Sequence, residues 1–197
     1  MKKSLFALLF AVTGFISAFA EGDDWFANKF PEKLINAKGK GINPATALKG
    51  KTVAIYFSAS WCGPCRGFTP KLVEFYKYVA KRDNIEVVLV SSDKNERAMM
   101  NYMKADKMPW LAVPFNAKEM MELKKQFSTG GIPQLVILDS EGKLISKNAR
   151  WDVVLLGFKA PEAWKEPNYV PKTYQDYQNS SSASKSRSNY KKRRKRR

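Results

Sequence analysis

A chain of 197 residues suits one globular domain with appendages, and its two cysteines are too few to staple a domain of that size, so the core must hold by burial. With no histidine and only two thiols, a closed tetrahedral zinc site is excluded as well. The net charge of +17 is uneven: Lys2 and Lys3 carry +2, residues 171–197 hold ten Lys/Arg against one Asp for +9, and the remaining +6 leaves residues 21–170 only mildly basic.

Residues 1–20 read as a secretory signal peptide. Lys2 and Lys3 precede an apolar stretch from Leu5 to Phe19, broken by Thr13, Gly14 and Ser17, and Ala18-Phe19-Ala20 gives the small-x-small pattern before a cut. Glu21 then opens the mature chain, which is expected in the periplasm or outside the cell. An uncleaved anchor is the competing reading, but a full span needs about 20 apolar residues. No cysteine stands at the cut, which argues against a lipid anchor.

Residues 21–33 are predicted as an irregular lead-in with Trp25 and Phe26 as an aromatic anchor. Glycines at 39, 41 and 50 mark turns, and a short hairpin fits residues 34–50. Residues 51–58 form a strand whose unbroken apolar centre implies burial on both faces. A helix follows to about Lys81, with Leu72, Phe75, Tyr76 and Val79 at helical spacing, Pro64 in its first turn and a kink expected at Pro70.

Residues 85–91 are the next buried strand. Residues 95–107 read as a helix whose Met99, Met100 and Met103 fill the core. Residues 109–114 are extended between two prolines, and 118–127 are helical. Ile132-Pro133 leads into a strand over 134–138, Asp139 to Gly142 turns into a strand over 143–146, and 152–158 form a last helix. This order predicts an α/β domain over residues 34–168: a central mixed β-sheet with helices on both faces, the first strands parallel and the last two a hairpin. From residue 169 the composition shifts to Ser, Lys, Arg, Asn and Tyr, which predicts a disordered basic tail over 169–197.

The chemistry-bearing segment is Trp61-Cys62-Gly63-Pro64-Cys65, which follows a β-rich run and opens a helix. That placement puts the first sulfur at a helix N-terminus, whose partial positive charge favours thiolate. A thiolate with a second thiol in reach can attack a disulfide and then release itself, so thiol–disulfide exchange is the leading expectation, with Cys62 as nucleophile and Cys65 as resolving thiol. A structural staple is the alternative, but so close a pair closes almost no loop. Arg66 is placed to hold the thiolate by its charge, unless it is a solvated helix cation.

The same residues resemble the thioredoxin superfamily, and its tryparedoxin/nucleoredoxin branch in particular. The resemblance is carried by Gly50-Lys51-Thr52-Val53, by Tyr56 to Cys65, by Arg66 to Pro70 with Glu74-Phe75-Tyr76, and by Met108-Pro109-Trp110-Leu111-Ala112-Val113-Pro114-Phe115, and it covers about residues 34–150. It implies the thioredoxin fold, a redox-active Cys62–Cys65 disulfide with no other cofactor and no metal, and a cis Pro133 beside the cysteines. It further implies that the Ile132 backbone pairs with substrate and that Trp61, Gly63 and Pro64 shape the rim; Pro109 and Trp110 either line a groove there or pack in the core. Two departures stand out. Gly63-Pro64 replaces the Pro-Pro usual in tryparedoxins and matches thioredoxin, whose potential of about −270 mV makes it a reductant. Tyr56 occupies the position where thioredoxins carry a buried Asp, which leaves Asp93 and Glu96 as candidate proton acceptors.

The expected partners are protein disulfide substrates and an electron donor of unstated identity, met by a monomer. The basic cluster Lys191, Lys192, Arg193, Arg194, Lys195, Arg196 and Arg197 is either a solvated end or a tether to an anionic surface. If the tether is the function, the domain is a binding platform and its redox pair serves as isomerase or oxidase, or is incidental.

Overall fold

A computed structural model of the chain describes residues 25–194, with side chains described through residue 184. The expected signal peptide, its cut before Glu21, and the last residues of the basic cluster, 195–197, lie outside the described residues. In chain order the elements are α1 (Trp25–Lys29), β1 (Leu34–Ile35), β2 (Gly41–Ile42), α2 (Pro44–Leu48), β3 (Thr52–Ser58), α3 (Gly63–Arg82), β4 (Ile85–Ser91) and α4 (Glu96–Ala105). They continue with β5 (Leu111–Ala112), α5 (Lys118–Phe127), β6 (Gln134–Leu138), β7 (Leu144–Ser146), α6 (Arg150–Leu156), a 3-10 turn (Gly157–Lys159), α7 (Ala160–Ala163) and α8 (Tyr174–Arg194).

The strands form one mixed sheet in the order β2-β1-β5-β4-β3-β6-β7. The apolar strands β3 and β4 sit at its centre and pair in parallel, Ile55 opposite Val88, while β6 runs antiparallel to β3, Ile55 opposite Val136. Period-2 alternation sends β3 side chains to both faces. Ala54 and Tyr56 join the core under α3, α4 and α6, whereas Val53, Ile55 and Phe57 join the core under α1, α2 and α5. The result is a helix–sheet–helix sandwich that leaves the C-terminal end of β3 facing the start of α3. Helix α3 remains one helix across Pro70, which lies on its exposed side and removes only the bond from its own nitrogen to the Arg66 carbonyl.

The structure corrects the expected ends of the domain. Residues 25–29 of the expected irregular lead-in form α1, which buries Phe26, and Phe30 just after it is buried as well, at 1% and 3% exposure. At the other end, the first residues of the expected tail pack against the domain as far as Tyr177. The backbone N–H of Lys172 donates to buried Asp152, and Tyr174 and Tyr177 pack on Trp151 with ring centroids 5.3 and 4.9 Å away. Asp176 then caps α8 by accepting from the Thr173 N–H and hydroxyl at 2.7 Å each. Among the described residues no helix is long and apolar enough to cross a membrane.

Candidate active site

Strand β3 ends at Ser58, and three residues carry the chain to Cys62, whose N–H donates to the Ala59 carbonyl at 3.2 Å. Cys62 is the N-cap of α3: its sulfur accepts from the Cys65 N–H at 3.2 Å, and its carbonyl takes the Arg66 N–H at 3.1 Å. Gly63 has open space around its Cα, and Pro64 lies in the first helical turn, where its missing N–H costs nothing. Cys62 and Cys65 are joined by a disulfide, with Cα atoms 5.2 Å apart. Cys62 is 6% exposed and Cys65 fully enclosed, so an incoming partner can meet only the first sulfur.

The loop before the pair is held from β4. One Asp93 carboxylate oxygen accepts from the Ser60 N–H at 2.9 Å and from the Ser60 hydroxyl at 2.6 Å, and the other takes the Ser91 hydroxyl at 2.8 Å. Both oxygens are therefore occupied, one by Ser60 and one by Ser91, and Asp93 makes no bond to Cys65. Glu96, the second candidate acceptor, is exposed in the first turn of α4. Trp61 donates its indole N–H to the Ser92 carbonyl at 3.0 Å while 60% of the residue stays exposed, which fixes the ring edge and leaves its face to solvent. The expected charge support from Arg66 is corrected: its guanidinium points to Asp106, 3.4 Å away, and not to the sulfurs.

Opposite the pair, the Ile132–Pro133 peptide bond is cis. The Ile132 carbonyl lies 3.7 Å from Cys62 Sγ, and Ile132 packs with Ala59, Cys62 and Cys65. A disulfide sulfur has no proton to give that carbonyl, whereas a reduced Cys62 thiol does. The loop is tied down by Gln134. Its Nε2 donates to the carbonyls of Phe127 and Lys147 at 2.8 Å each, and its Oε1 accepts from the Thr129 N–H at 2.9 Å. Arg150 Nη1 donates to the Pro133 carbonyl at 3.3 Å.

Behind Cys65 lies a chain of hydroxyls in place of a carboxylate. Thr69 Oγ1 donates to the Cys65 carbonyl at 2.9 Å and lies 2.9 Å from the Tyr56 hydroxyl and 2.7 Å from that of Tyr102, which in turn meets Ser58 at 2.9 Å. Burial first, and then the neighbouring Tyr102, pushes the Tyr56 hydroxyl well above the ordinary tyrosine range. Tyr56 is thus a neutral, fixed hydrogen-bonding group and not a base at neutral pH.

Trp110 does not line a groove. It is fully buried between Tyr56 and Tyr76, with centroids 6.2 and 5.7 Å away, because the flanking Leu111–Ala112 strand turns it into the α3-side core; only Pro109 is exposed. Two residues that hold the loop facing the pair escaped the sequence reading, Gln134 and Arg150, and so did the buried Asp152 of α6. Gln134 alone left a signal, as a polar residue heading an otherwise apolar strand. Among the described residues no group of three or more His, Cys, Asp or Glu is placed to hold a metal.

A family model described as thioredoxin-like matches residues 50–144. A tryparedoxin of Trypanosoma brucei brucei is 50% identical over 112 residues, 55% of this chain and 75% of that protein. A probable nucleoredoxin 1 of Arabidopsis thaliana is 43% identical over 138 residues, 68% of this chain but 23% of that protein, so the match spans about a quarter of its length. Among solved structures, the tryparedoxin from Trypanosoma brucei superposes with a TM-score of 0.64 at 41% identity, covering 72% of this chain and 98% of that one. The solved thioredoxin of Wuchereria bancrofti superposes at 0.61 with 42% identity, covering 66% of this chain and 89% of that one.

Proposed function

The chain belongs to the thioredoxin-like family, on its tryparedoxin–nucleoredoxin branch, and from that premise we propose that it is a thiol–disulfide oxidoreductase that reduces protein disulfides outside the cytoplasm. The observation that carries this reading is the asymmetry of the pair: Cys62, 6% exposed, at the N-terminus of α3, and Cys65 fully enclosed behind it.

In the reduced chain the Cys62 thiolate attacks one sulfur of a substrate disulfide. The substrate S–S bond breaks, the departing thiolate takes a proton from solvent, and a mixed disulfide forms. The Cys65 sulfur then attacks Cys62 Sγ, the mixed bond breaks, and the Cys65 proton leaves with the second substrate thiol. Two electrons pass to the substrate and the chain is left with the Cys62–Cys65 disulfide. An external dithiol must then return two electrons and one proton to restore the Cys62 thiolate and Cys65 thiol, its second proton going back to solvent. Asp93 and Glu96 take no part in this route, since neither is bonded to Cys65.

Insulin reduction with dithiothreitol as donor tests the reading. Wild-type chain should accelerate precipitation of the insulin B chain, and Cys62→Ser should not; equal rates sink the proposal. Export rests on the pattern of residues 1–20 and is tested by N-terminal sequencing of protein from the extracytoplasmic fraction, where a start at Glu21 is expected.

The basic end supports a second role that is compatible with the first. Residues 171–197 carry +9, and after Tyr177 the described part of α8 is mostly polar. Such a segment fits a tether to an anionic surface, and its retention should fall steeply with salt. Retention on an anionic matrix that does not change when residues 191–197 are neutralised removes the tether.

A further inference from the structure

A cleft of about 480 Å³ opens beside the redox pair, with Pro64 and Phe68 of α3 on one side, Trp151 of α6 on another, and Tyr174 and Tyr177 of α8 completing it. Its size falls within the range of about 300–1,000 Å³ typical of ligand sites. Its link to the redox centre is Pro64, which stands between the two cysteines in the chain, while neither cysteine lines the cleft itself. Trp151, Tyr174 and Tyr177 all lie beyond residue 144, where the family match ends. Tyr174 and Tyr177 both pack on Trp151, Tyr174 tilted and Tyr177 stacked, and the chain leading to them is pinned by the Lys172 N–H on buried Asp152.

The lining carries two cations, Lys71 and Arg150, and no carboxylate. The Arg150 guanidinium lies 4.4 Å from the Trp151 ring centroid, and its buried Nε has no partner. Asp176, the nearest acid on α8, is engaged by the N–H and hydroxyl of Thr173. Aromatic walls suit the backbone and apolar parts of a peptide, and two unopposed cations suit carboxylates. The chain's own basic end is repelled by the same charges.

We propose that this cleft is the seat of an extended acidic segment of the substrate polypeptide, adjoining its target cysteine, and that the start of α8 is a specificity element for it. The proposal rests on the disulfide-exchange reading for the identity of the partner, but binding can be read without redox turnover.

The test uses the full chain in its oxidised form and two rhodamine-labelled peptides with an alkylated cysteine, one flanked by Glu and one by Gln, followed by fluorescence anisotropy. The Glu peptide should bind about tenfold more tightly at low salt. That preference should persist when residues 191–197 are replaced by Gln, and should weaken about fivefold in Lys71→Gln, as loss of one exposed charge contact allows. The double variant Tyr174→Ala/Tyr177→Ala should weaken both peptides. Equal binding of the two peptides overturns the proposal, and so does a preference that disappears once residues 191–197 are neutral. Reduction of hydroxyethyl disulfide, a small uncharged substrate, is measured beside it. Turnover without peptide preference overturns the cleft and leaves the redox reading; preference without turnover supports the cleft and overturns the redox reading.

Discussion

The backbone N–H of Lys172 donates to Asp152 at 2.6 Å, and the other oxygen of that carboxylate accepts the Trp164 indole N–H at 3.0 Å. Asp152 is fully buried, so one side chain fastens both α7 and the segment entering α8 to α6. Asp152→Ala leaves two buried donors unpaired and should cost about 2–3 kcal/mol in urea unfolding, the range for hydrogen bonds to a charged group. It should also release residues 171–178 to proteolysis under conditions where the wild-type chain is resistant. Unchanged protection of that segment would show that the aromatic stack on Trp151 alone holds it.

Gln134 plays the corresponding part for the loop that reaches the cysteines. It is fully buried and makes three hydrogen bonds, to Thr129, Phe127 and Lys147. Gln134→Leu keeps most of the volume and strands one N–H and two carbonyls, at about 2–4 kcal/mol by the cost of unpaired buried groups. Hydrogen exchange at Thr129 should rise sharply, and disulfide exchange should slow because the Ile132 carbonyl loses its fixed place against Cys62. A stable variant with native exchange at Thr129 contradicts this account.

What could be read from the chain, and what could not, divides along sequence distance. The spans of β4, α5 and β6 match the reading because each is a continuous apolar run or a clear helical period bounded by turn residues. Trp61, Cys62, Cys65 and Pro133 were legible as local motifs. Helix α1 was not, since five residues are too few to display a period, and Phe26 and Phe30 are recognisable as core only against strands that come later. The start of α8 was hidden for the same reason: Tyr174 and Tyr177 look sparse in a polar tail until Trp151, more than twenty residues earlier, is placed beneath them. Asp93 was found as a carboxylate near the site, but its work on Ser60 depends on a loop 33 residues away. For Trp110 the sequence left groove and core both open, and the short strand β5 decides for the core.

The hairpin between β6 and β7 meets α1 at one glycine. Gly142 has φ +81°, in a turn where Asp139 accepts from the N–H groups of Glu141 and Lys143 at 2.9 Å each. A Cβ at this position would stand 2.6 Å from Trp25 Cγ, closer than two carbons can approach. Gly142→Ala therefore combines a left-handed backbone, about 1–2 kcal/mol for a residue with a Cβ, with displacement of the indole. The total should exceed about 2 kcal/mol. In a Trp25→Ala background the same change should cost only the backbone part, about 1–2 kcal/mol, and the difference is the coupling between α1 and the hairpin. Equal costs in both backgrounds would detach α1 from the domain.

Alkaline pH reads out the buried tyrosines. Burial comes first in raising both Tyr56 and Tyr76 above the ordinary value of 10.0, followed by the charge of Tyr102 for the first and of Glu86 for the second. In the folded chain both therefore keep their protons at a pH where the unfolded chain releases them. Their contribution is fully present below about pH 10 and is lost as pH rises further, by up to about 1.4 kcal/mol per pH unit for each group. Lys124, lowered by burial, acts in the opposite direction, but it is one partly exposed group against two tyrosines. With the disulfide intact the cysteines do not titrate, so urea midpoints should fall steeply only above about pH 10. Tyr56→Phe should lose about 1 kcal/mol at pH 8, from its hydroxyl contact to Thr69, and should descend less steeply than wild type on the alkaline side. Parallel descents for the two chains would mean that Tyr56 ionises in the folded state as readily as it does in the unfolded one.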